Sequence, residues 1–154
     1  MTLETKLSLT DETIGDVQDL ISINIDSAKG FQAAADRIEN DAVASYFREC
    51  AAQRDAQASE LKSIVSANAE EPTDSGTFKG TLHRWWLEAR GTVQGGDTHA
   101  VLAETERGED AIKGCYEKVL KQNPGNALSS VLHGQYANVK TRHDRIRDLR
   151  DQHA

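Results

Sequence analysis

The stretch LAETERGEDAIKGCY, residues 102–116, places Glu104, Glu106, Glu109 and Asp110 within about two helical turns. Carboxylates at that density raise one kind of chemistry above the rest, the holding of metal ions between helices. A carboxylate-bridged two-metal centre in a helical bundle takes a Glu from each of two helices and a Glu-x-x-His from each of the other two. Residues three apart share a helix face, so both side chains of that motif can reach one ion. Following each glutamate by three positions meets no histidine: Glu49 leads to Ala52, Glu60 to Ser63, Glu106 to Glu109 and Glu117 to Leu120. A complete ligand set of this kind is therefore absent. Nor does the chain carry GxSxG, a P-loop or a dinucleotide glycine fingerprint.

The elements that must position these acids read as helices. Val17, Ile21, Asn24, Ala28, Phe31, Ala35 and Ile38 recur at steps of three and four, predicting a helix near 13–38, with Thr13 and Asp16 resembling a capping box. Val43, Phe47, Cys50, Arg54, Ala58, Leu61 and Val65 predict a second over 41–68, with Asn40 as N-cap. Leu102, Thr105, Glu109, Ile112, Tyr116 and Val119 predict a third over 97–122. Leu128, Leu132, Gln135, Val139, Arg142, Ile146 and Leu149 predict a fourth over 126–151, set off by Asn123-Pro124-Gly125.

DSAKGF at 26–31 and DAIKGC at 110–115 align at an offset of 84, so the chain reads as two similar helical hairpins. Two hairpins pack into a four-helix bundle. The link from Pro72 to Gly96 is too long for a turn, and a helix of 26 residues is roughly 39 Å long. A crossover along the bundle is expected, with a short helix at 77–93 carrying Leu82, Trp85, Trp86 and Ala89. This is ferritin-like connectivity in an all-α fold. The whole of 1–154 is expected to form one domain, with residues 1–12 loosely ordered.

Hairpin geometry brings Asn24, Arg54, Glu109 and Arg142 or His143 to one level at mid-bundle, with Asp26, Glu106 and Gln135 as further candidates for this layer. A guanidinium on the stripe of Phe47, Leu61 and Val65 needs a carboxylate partner, because an unpaired buried charge is costly. Glu109 is the first choice for Arg54, with Glu106 or Asp26 second. Glu104 and Asp110 are expected to face water. The layer has two readings, a structural ion-pair layer that fixes register or a small-ligand or degenerate metal pocket.

Composition narrows the partners. The formal charge of −7 opposes nucleic-acid binding, and the basic residues Lys140, Arg142, Arg145, Arg147 and Arg150 alternate with Asp144, Asp148 and Asp151. No apolar run approaches the ~18 residues of a membrane span, and the N-terminus lacks a signal core, so a cytoplasmic protein is expected. Cys50 and Cys115 fall on apolar stripes as reduced thiols. Adjacent tryptophans point about 100° apart on a helix, which makes Trp85 or Trp86 a candidate contact in a homo-oligomer, a dimer or larger.

LISINIDSAKGF, LHRWW, GGDTHAVLAETERGEDAIKGCYEKVL and YANVKTRHDRIRDLR give the chain a resemblance to a bacterial family of ferritin-like four-helix-bundle proteins, a domain of unknown function in the ferritin superfamily. The resemblance implies the fold and carries no activity or substrate. The leading expectation is a non-enzymatic binding or assembly module without a cofactor. The rival is an iron- or manganese-dependent oxidase or iron-handling protein built on Glu106, Glu109, His143 and Asp26.

Overall fold

A computed structural model describes residues 9–68, 70–73, 97–122 and 128–154. Within them the chain forms four helices and no strand: α1 Asp11–Arg37, α2 Asp41–Ala67, α3 Thr98–Gln122 and α4 Ser129–Gln152. The expected short helix at 77–93, with Trp85 and Trp86, lies outside the described residues. No helix among those described is long and apolar enough to cross a membrane.

The helix starts follow from local chemistry. Thr10 has extended backbone angles, and its Oγ1 accepts the Thr13 amide at 3.1 Å. The cap is thus Thr10, not the Thr13–Asp16 box, and Thr13 instead bonds the Thr10 hydroxyl at 3.0 Å. α1 accordingly begins ahead of residue 13, and Leu9 before it donates its amide to Asn68 Oδ1 at 3.2 Å. Asn40 caps α2 as expected, accepting the Val43 amide at 3.1 Å. Asp97 accepts the Ala100 amide at 2.9 Å at the start of α3. α4 has no side-chain cap, and its first helical residue is Ser129 rather than 126.

Three residues join α1 to α2, too few for anything but an antiparallel hairpin. α1 packs chiefly on α2, α3 on α4, and α1 meets α3 between the hairpins. The core falls into two apolar clusters. One gathers Val17, Leu20 and Ile21 of α1, Leu61 and Val65 of α2, Ile112 and Val119 of α3, and Leu132 and Val139 of α4. The other gathers Phe31 and Ala35, Phe47 and Cys50, Val101 and Leu102, and Ile146 and Leu149 from the same helices. The order of these residues gives the directions. α1 and α4 run from the first cluster to the second, and α2 and α3 run back, parallel to each other. Between the clusters every helix passes through a level of buried polar residues.

Candidate functional site: a buried polar layer

Arg54 anchors this level. Its side chain is fully buried, yet it keeps its charge partnered, because Nη1 and Nη2 reach the two oxygens of Glu109 at 3.0 and 2.7 Å. Glu109 is itself 2% exposed. The pair is bidentate, the geometry in which a guanidinium best matches a carboxylate. Nη1 also donates to Ser27 Oγ at 3.3 Å, and the guanidinium carbon lies 5.5 Å from the Phe31 ring centroid. Since α2 and α3 are parallel and belong to different hairpins, this bond ties the two hairpins through the core. Arg54 Nε has no partner among the described residues.

Next to the ion pair runs a chain of neutral groups whose direction is fixed from one end. Glu60 can only accept, so Gln135 presents Nε2 to it at 2.7 Å. Gln135 Oε1 then accepts from the Tyr116 hydroxyl at 2.6 Å. Having spent its proton, Tyr116 accepts from Asn24 Nδ2 at 2.8 Å. Asn24 Oδ1 in turn accepts from Gln57 Nε2 at 2.8 Å. Gln57 Oε1 is left without a partner among the described residues. Burial raises the Tyr116 phenol well above its usual range, the hydrogen bond from Asn24 opposing the shift, so it stays a neutral donor at any ordinary pH.

The other sequence candidates lie around this centre. Asp26 is buried in α1 at 7% exposure. His143 is buried at 8%, with Nε2 2.5 Å from Asp110 Oδ1 and Nδ1 3.1 Å from Asp144 Oδ1. Glu106 pairs with Arg150. Arg142 turns to the α2 flank, where Nε donates to Gln53 Oε1 at 3.1 Å and the guanidinium covers the Tyr46 ring. Asp110 keeps 64% of its side chain exposed while bonding His143. Glu104 departs from the expectation that it faces water: its side chain is only 19% exposed, beside Arg107 at 3.3 Å.

The alternative metal set of Glu106, Glu109, His143 and Asp26 is not assembled. Both Glu109 oxygens are taken by Arg54, both His143 nitrogens face carboxylates, and Glu106 is engaged by Arg150. Among the described residues no group of three or more His, Cys, Asp or Glu side chains is placed to hold an ion. The sequence reading missed Ser27, Gln57, Glu60 and the phenol of Tyr116. Tyr116 carried a usable signal, since a buried tyrosine hydroxyl demands a hydrogen-bond partner.

Fold and site together define an all-helical bundle whose two apolar halves are joined by a buried ion pair and an ordered amide–phenol chain. The chain belongs to the family described as domain of unknown function (DUF2383), which matches residues 12–122 and so takes in α1, α2 and α3. A comparison with curated proteins finds no match.

Proposed function

We propose that this protein is a non-enzymatic, ferritin-like four-helix bundle that serves in the cytoplasm as a binding and assembly module, working as a dimer or larger homo-oligomer. The parallel course of α2 and α3 supports the ferritin-like connectivity, because two hairpins that enter in opposite senses leave those helices parallel. One observation carries the reading of the site. The acid at mid-bundle has both oxygens on a buried guanidinium, which supports an ion pair in place of a metal site at this level. A carboxylate so engaged would have to give up a charge partner, and leave Arg54 unpaired, before it could ligate.

The test is metal content. Protein purified after growth with added iron and manganese should hold well below one equivalent of either ion per chain. Two ions per chain, bridged by carboxylates at the Glu109 level, would contradict the proposal and favour a metal-dependent oxidase.

A further inference from the structure

His143 of α4 is a buried imidazole with a carboxylate on each side. Its side chain is 10% exposed, with Nε2 2.5 Å from Asp110 Oδ1 of α3 and Nδ1 3.1 Å from Asp144 Oδ1 of α4. An ionised carboxylate can only accept a hydrogen bond, so each contact requires a proton on the ring nitrogen that faces it. A neutral imidazole carries one such proton and sets a lone pair against the second carboxylate. Only the doubly protonated ring satisfies both. The surrounding charges agree with this. The hydrogen bond from His143 is the main cause that holds the Asp144 carboxyl below its usual range, with Arg147 and Lys140 adding to it and burial opposing. On α3, Glu109 is taken by Arg54 and Glu106 by Arg150, whose charge also reaches Asp110. Toward α2, Arg142 is drawn off to Gln53 at 3.1 Å and Glu49 at 3.9 Å. Asp110 and Asp144 are thus the charges in direct contact with the ring among the described residues.

The two arms differ in freedom. Asp144 adjoins His143 in sequence and also meets Arg147 at 3.6 Å. Asp110 lies on the other helix and keeps 64% of its side chain exposed, so it can turn into water once the ring repels it. We propose that Asp110, His143 and Asp144 form a proton-operated clasp between α3 and α4, closed while both ring nitrogens carry a proton and opened at the Asp110 arm when Nε2 loses its own. The closed seam favours the protonated ring, so the contribution of the clasp is present at lower pH and is lost as rising pH neutralises the ring. On the acid side it ends where the carboxylates themselves take up protons and cease to be pure acceptors. Histidine is the side chain whose charge ordinarily changes near neutrality, which places the opening of the clasp within reach of physiological pH.

The test is nitrogen NMR of the histidine rings in the full chain at low ionic strength, with free histidine as the reference. At about pH 7.5 an ordinary imidazole is roughly nine-tenths neutral. At that pH the larger part of His143 should carry protons on both ring nitrogens. Raising the pH until the ring is neutral should leave its proton on Nδ1 and abolish the nuclear Overhauser contact between the ring and the Asp110 methylene. Asp110→Asn puts an amide, both donor and acceptor, where the carboxylate stood, and should raise the neutral fraction at that pH about twofold or more. The titration of the parent chain needs no variant, so the test stands whether or not Asp110→Asn folds. A mostly neutral His143 at that pH, a neutral form protonated on Nε2, or a ring–Asp110 contact that survives deprotonation overturns the proposal. So does a folded Asp110→Asn that titrates like the parent.

Discussion

At the scale of single residues, the polar layer depends on each group having a role that its neighbours leave no choice about. Tyr116 donates once and accepts from Asn24, so Tyr116→Phe strands the Gln135 oxygen in a buried setting. Leaving a buried polar group unmet costs about 1–3 kcal/mol. The variant should lose that much in urea denaturation; a change of a few tenths would show that the phenol is solvated. The thiols offer a second check. Burial pushes both Cys50 and Cys115 up to about 11, so neither is a ready nucleophile. Cys115 is partly exposed and Cys50 is not, and Cys115 should therefore react first with a thiol reagent in the native state. The reverse order would mean that α3 presents a different face. Arg54 and Glu109 were legible in the sequence because each sits on an apolar stripe at the same depth, where a charge requires a partner. Gln57 and Glu60 were not, because they lie beside the stripe of α2, and nothing in spacing alone says that a neighbouring amide turns inward.

Individual helices show what periodicity settles and what it leaves open. Three- and four-residue spacing placed all four long helices to within a few residues, since an apolar stripe must be continuous to face a core. It placed the start of α1 too late, because the capping signal of Thr10 sits ahead of the first apolar residue of the stripe. Glycine inside a helix is a weakness that the sequence shows and the structure qualifies. A Cβ at Gly114 meets nothing within 4 Å, so Gly114→Ala should stabilise the protein by about 1 kcal/mol. A loss of stability in its melting curve would mean that another surface packs there. The face of α4 around His143 is acid-sensitive in a defined sense. The hydrogen bond from His143, with Arg147 close by, holds the Asp144 carboxyl below its usual value of 3.8. A depressed folded value means that the carboxylate contributes stability above the unfolded value and loses it as pH falls through the folded one. Asp144→Asn should be less stable than the parent near neutrality, and the gap should close as pH drops below 3.8. A gap that is constant with pH would remove His143 as its cause.

Across the whole molecule, two apolar clusters share no side chains and lie on either side of the polar layer. A bundle held by apolar stripes alone could slide by a turn at modest cost. A buried pair that must meet at one depth resists that slip, a use of buried polarity seen in coiled coils. Light scattering is expected to give a dimer or larger, and a monomer at high concentration would remove the assembly half of the proposal. The central claim is that the level between the clusters is a desolvated Arg54–Glu109 pair, and its most direct test is a double-mutant cycle read by global unfolding. Removing one partner of a buried pair costs about 3–5 kcal/mol, whereas a solvated pair contributes roughly 0–1. Arg54→Met and Glu109→Gln should each destabilise by about the larger amount, and the double variant by far less than their sum, a coupling of about 2 kcal/mol or more. Small, additive losses would contradict the account, because they would mean that both charges are met by water.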